Sequence, residues 1–304
     1  MRLRVSIVTL SVVLWAAQVE ARPSKAWRVA KSQVPATTTT VVGVDAVAWT
    51  KSSMFTPFYE LAEKKRPEMK DGRAKLLAEC QVDLVSAIDS IVVAGEDGDA
   101  AGAVYLSIAG SDAKKLEVCV SKRSGGDTAV RIKRSGPIVE ITEADSTTYM
   151  GWINNVLVVP FDRSSEQELK KWMGGRRGFS KSALKAVLDR VDTSAALWMA
   201  STSEQTTADG TVKRAVATIK LSSNNVVTDA RVMMADATQA ASMASQINSQ
   251  LGGMGALGSA NPAAGRVLKN LTVQASDAEL VVHSTASQRD VVSLVTAFGP
   301  MLAH

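Results

Sequence analysis

Histidine is almost missing from this 304-residue chain, which has only His283 and the terminal His304. A Ser-His-Asp triad needs a positioned imidazole base. His283 alone could supply one, and it falls in a strand pattern beside Glu279 and Val281, where a surface strand position is expected. Cysteine is as scarce, with Cys80 and Cys119 only and no C-x-x-C pair. A His/Cys zinc site therefore lacks ligands, and no catalytic, cofactor or metal residue is assigned. Aromatic residues make up 5% of the chain, too few for a base-stacking surface, so no nucleic-acid partner is expected. Past the N-terminus there is no apolar run near the roughly 20 residues a spanning helix needs, so no transmembrane segment is expected in the mature chain.

The first stretch present in strength is N-terminal. Arg2 and Arg4, the uncharged apolar run 5–17 and the small residues Val19 and Ala21 form the pattern of a secretory signal peptide over residues 1–21. The protein is expected to be exported, to the periplasm or the exterior. Cleavage removes two arginines and one glutamate, leaving 33 basic against 29 acidic residues, so the net charge falls from +5 to +4. That permits a weakly held anionic partner without requiring one. With 46% hydrophobic residues the remainder can bury a real core. In an oxidising compartment the even cysteine count predicts a Cys80–Cys119 disulfide.

The organising stretch is 86–122. Ile88–Ala94 is apolar at nearly every position, as suits a buried strand. Asp97-Gly98 signals a hairpin, Val104, Leu106 and Ile108 share one face of the next strand, and Ser111 or Asp112 caps a helix carrying Ala113, Leu116 and Val120. Before it, residues 22–40 read as a flexible leader, 41–49 as a strand, and Thr56-Pro57 as the start of a helix. After it come short strands near 130–133, 138–142, 147–152 and 156–160, then a helix capped at Ser164. A helix over 180–191, strands over 195–201, 211–221 and 226–234, and a helix capped by Asp236 repeat the theme. A Gly/Ala loop over 252–265, a hairpin over 267–285 and a helix capped by Ser287 close the chain. The fold class is α+β: two similarly built halves, 41–153 and 154–304, each mainly antiparallel sheet with helices packed on one face.

Motifs with chemistry are few. Gly253, Gly255 and Gly258 match G-x-G-x-x-G, but a helix precedes them and Pro262 follows, so the dinucleotide context is absent. Ser111/Lys114 and Ser182/Lys185 match S-x-x-K at helix starts, where the serine is a cap. Trp49, Trp152, Trp172 and Trp198 lie within periodic segments and read as core anchors. Arg176, Arg177 and Lys181, with Lys170, Lys171 and Lys185 nearby, form the densest basic region and the one candidate anion site. The expectation is a non-catalytic binding or interaction protein with an unknown ligand or protein partner. The alternatives are a hydrolase with scattered Asp, Glu, Ser and Lys, or a structural component of the cell envelope.

Overall fold

The computed structural model describes residues 23–97, 101–123, 131–143, 146–175, 178–207, 210–254, 258 and 261–298. The expected signal peptide lies outside them. Ser24 caps α1 (Lys25–Gln33), its hydroxyl accepting from Trp27 N–H at 3.2 Å. β1 (Thr40–Asp45) follows, and the Asp45 carboxylate caps a short α2 (Ala46–Thr50) through Ala48 N–H at 3.0 Å. Next come α3 (Phe55–Lys65), α4 (Pro67–Cys80), one-turn α5 (Leu84–Ala87), β2 (Ile88–Gly95), β3 (Gly102–Ile108) and α6 (Gly110–Arg123). A meander follows: β4 (Arg131–Ser135), β5 (Ile138–Glu143), β6 (Ser146–Ile153) and β7 (Val156–Pro160). Helices α7 (Glu166–Gly174), α8 (Gly178–Lys181) and α9 (Leu184–Leu188) lead to β8 (Leu197–Ser201), β9 (Gln205–Thr207), β10 (Gly210–Leu221) and β11 (Asn225–Met234). The chain ends with α10 (Ala237–Gly253), α11 (Pro262–Lys269), the hairpin β12 (Leu271–Ser276) and β13 (Glu279–Ser287), and α12 (Gln288–Phe298).

The architecture is α+β, built on one large antiparallel sheet in the order β12-β13-β11-β10-β8-β1-β2-β3-β7-β6-β5-β4, with β9 hydrogen-bonded to β10. The two parts of the chain meet at its middle, where Val42 lies opposite Met199 on one side and Val93 on the other. The edge strand β4 presents Arg131, Lys133 and Arg134, all exposed, the kind of charge that discourages edge-to-edge pairing.

Helices cover both faces of this sheet, although the sequence pattern places them on one. β7 shows why: Val156 and Val158 enter one cluster, while Leu157 and Val159 enter another on the opposite side. A strand that is apolar at successive positions is one buried on both sides. On the first face, α1, α7, α8 and α9 pack over Val41, Val92, Tyr105, Trp198 and Ala200. The Trp27 ring meets Trp198 edge-on at 4.8 Å and Phe179 at 5.7 Å. Tyr105 donates to the Trp172 carbonyl at 2.7 Å, and burial pushes its phenol well above its ordinary pKa. On the second face lie α4 and α6, and, farther along, α10, whose Ala244 and Ile247 pack on Val232, Val273 and Leu280.

Four local expectations need correction. The flexible leader is in fact α1, with Ala26, Trp27, Val29 and Ala30 buried; spacings of three and four residues and the Ser24 cap were the available signal. The strand over 41–49 stops at Asp45 because the carboxylate satisfies a helix N-terminus there. The helix over 180–191 is broken in two, since the buried Ser182 hydroxyl turns to the Thr38 carbonyl at 3.0 Å and accepts from Leu184 N–H at 3.1 Å. Part of the Gly/Ala loop and the first residues of the hairpin form α11, which Asn261 caps through Ala263 and Ala264.

Candidate functional site

Strands β4 to β7 present one apolar row on the second face. Register places Leu157 opposite Trp152, Met150 opposite Val139, and Val139 opposite Arg134, so these side chains share a face. Helix α6 crosses this surface. Its Ala113 is buried, and Ala113 N–H bonds the Ala109 carbonyl at 2.8 Å. Farther along, Cys119 meets Cys80 at disulfide distance, with Cα atoms 5.2 Å apart, as the cysteine count predicts. Glu117 forms an ion pair with Arg134 across the gap between helix and sheet. Between these fixed points the helix leaves a cleft of about 350 Å³, lined by Leu116, Val118, Ile132, Met150, Trp152 and Leu157, with the Glu117–Arg134 pair at its rim.

That volume falls within the range of small-molecule sites. Among the described lining residues there is no hydroxyl, thiol, imidazole or amine, so the surface is suited to enclosing an apolar group. Val118 is 50% exposed at this helix, which opens the hollow to solvent. Trp152, expected as a core anchor, is half-buried in the lining, whereas Trp172 and Trp198 are fully enclosed. Trp49 is half-buried and donates from Nε1 to the Ala196 carbonyl at 3.0 Å.

The other candidates from the sequence are dispersed. Arg176 and Arg177 lie outside the described residues, and Lys181 is exposed at the end of α8. Ser182, expected as a cap, precedes the N-cap position Ala183 and bonds the Thr38 carbonyl and Leu184 N–H, and Lys185 pairs with Asp189 at 2.8 Å. His283 sits on the strand surface, its Nδ1 at 2.7 Å from Asp229. Of the glycine motif, residues 255–257 lie outside the described residues. No group of three His, Cys, Asp or Glu side chains able to hold a metal occurs among the described residues, and no described helix is long and apolar enough to cross a membrane.

Several carboxylates are held low by cationic partners. Arg73 at 2.9 Å keeps Asp83 below the usual carboxylate range. Arg190 does the same to Glu279, and Arg266 to Asp290. A carboxylate whose folded pKa is depressed contributes stability above its unfolded value, about 4. That contribution is lost as pH falls through the lower folded value. The urea midpoint should therefore be level near neutrality and decline below about pH 4. A profile flat through the acid range would show that these pairs do not stabilise the fold.

Fold and site together define an α+β protein with a single antiparallel sheet and an apolar cleft under a disulfide-tethered helix. No protein-family model and no curated protein matches the chain. Among solved structures it is similar to TP0453. Crystal form III of that protein superposes with a TM-score of 0.51 at 8% identity, over 91% of this chain and 98% of that one. Crystal form I gives 0.49 at 8% identity, over 88% and 96%. At this identity the likeness is one of fold alone.

Proposed function

We propose that the protein is an exported, non-catalytic binding protein that holds an apolar ligand in the cleft beneath α6. The observation that carries this reading is the cleft itself: aliphatic and indole side chains around about 350 Å³, with a single ion pair at the mouth. Export is supported by the residue pattern of 1–21 and by the Cys80–Cys119 pair, since disulfides persist in oxidising compartments. The reading of two related halves is supported by strand order. Outward from β1 come β2, β3 and then β7, with α6 following β3; outward from β8 come β10, β11 and then β13, with α10 following β11.

The test uses the neutral fluorophore N-phenyl-1-naphthylamine, whose emission rises on entering an apolar site. Val139, buried at the floor of the cleft, is changed to Trp so that an indole fills the hollow. Apparent affinity should fall about tenfold or more, while the urea midpoint stays near that of the parent. Equal probe binding by parent and Val139→Trp would remove the cleft as the ligand site.

A further inference from the structure

A second concavity lies on the opposite face of the sheet. There Arg190, just past α9, grips Glu279 of β13 with two hydrogen bonds of 2.6 and 3.0 Å. Arg231 of β11 stands 3.7 Å from the same carboxylate. Arg214 of β10 has no ion pair within 4.0 Å among the described residues, although its charge reaches Glu279. Register explains the gathering. Arg214 is opposite Met233, and Met233 is opposite Glu279; Arg231 is opposite Val216 and Val281. Arg214 and Arg231 are thus diagonal neighbours on one face, about 7–8 Å apart at the backbone and within reach for long side chains.

Three guanidinium groups around one carboxylate leave two positive charges uncompensated. The neighbouring acidic groups are engaged elsewhere: Asp192 pairs with Lys220 at 2.8 Å, and the Asp229 carboxylate is hydrogen-bonded to His283 Nδ1 at 2.7 Å. Like charges at diagonal positions repel unless an anion lies between them. The hollow among Arg190, Arg214, Arg231, Met233 and Glu279 holds about 20 Å³, enough for roughly one oxygen-sized group. An oxyanion could therefore seat one oxygen there and present the others to the exposed forks of Arg214 and Arg231.

We propose that Arg214 and Arg231, with Arg190 behind them, form a site for a doubly charged oxyanion of the phosphate-monoester class. Two excess positive charges match a dianion, and the guanidinium fork suits the spacing of phosphate oxygens. Glu279 orients Arg190 and also competes with the ligand. The site is independent of the cleft beneath α6, from which the sheet separates it.

The competition gives the test a sign. Calorimetric titration with inorganic phosphate should show binding to the parent. The double variant Arg214→Gln/Arg231→Gln should lose it by about tenfold or more with little change in melting temperature, since both arginines are exposed. Glu279→Gln should bind phosphate more tightly, even if it melts earlier. Vesicles containing phosphatidic acid form the second arm. Binding to vesicles that is lost in the double variant would assign the phosphate to a lipid headgroup, and binding to free phosphate alone would assign it to a soluble ligand. No binding in either arm, equal binding by the double variant, or an equal response to chloride would overturn the proposal.

Discussion

Replacing Trp198 with alanine is expected to cost about 3–5 kcal/mol, a large share of the roughly 5–15 kcal/mol that holds a typical protein folded. The side chain is 1% exposed and stands on β8, between β1 and β10, with Trp27 of α1 edge-on to it. Its removal would strip one of the contacts that join the N-terminal helix to the middle of the sheet. Urea denaturation followed by circular dichroism would measure the loss. The opposite strand supplies a control. Gly43 pairs with Trp198, and a Cβ at position 43 would run into the indole ring. Gly43→Val should therefore destabilise by about 1–3 kcal/mol or more on its own. In the Trp198→Ala background the added side chain has room, so the two substitutions should cost less together than the sum of their separate effects. A Gly43→Val variant as stable as the parent would show that the indole does not occupy that space.

The second large effect concerns Cys80 and Cys119. Their separation of 39 residues places the loss on changing both to serine at about 4 kcal/mol in the chain-entropy view. The consequence should extend to the cleft, because Cys119 is one of the points that fix α6 over the strands. The Cys80→Ser/Cys119→Ser protein should show a lower urea midpoint and weaker binding of the naphthylamine probe. Reductant should do the same to the parent and nothing further to the variant. A midpoint indifferent to both treatments would show that other contacts are enough to hold α6.

Much of the sheet was legible in the residues themselves. The branched apolar run of β2, the alternation in β10 and β11, and the Asp236 cap of α10 are local signals, and local signals survive folding unchanged. Asp236 accepts from Gln239 N–H at 2.9 Å, as a helix start requires. The final helix is likewise announced by Ser287, whose hydroxyl accepts from Asp290 N–H at 3.0 Å. What was not legible depends on distant partners. α1 looks like a polar leader because its burial comes from Trp198, Phe179 and the sheet, far along the chain. The cap before α7 is Ser165 rather than Ser164, a choice between adjacent serines that spacing could not make. The cleft is the clearest case. Its lining comes from four strands and one helix, so no window of residues contains it. The arginine cluster around Glu279 escaped for the same reason, being assembled by register across β10, β11 and β13. The basic region at 176–181 was conspicuous in the sequence only because its charges lie close together along the chain.

The seam between β1 and β8 has a consequence in time. β1 can acquire β2 early during synthesis, yet its other flank stays bare until the residues of β8 have been made. Throughout that interval an unpaired backbone edge and the apolar residues beside it are exposed to any passing chain. A product halted before residue 197 would keep that edge permanently. The hazard for this protein is concentrated in its unfinished state, before the two flanks of its own centre have met.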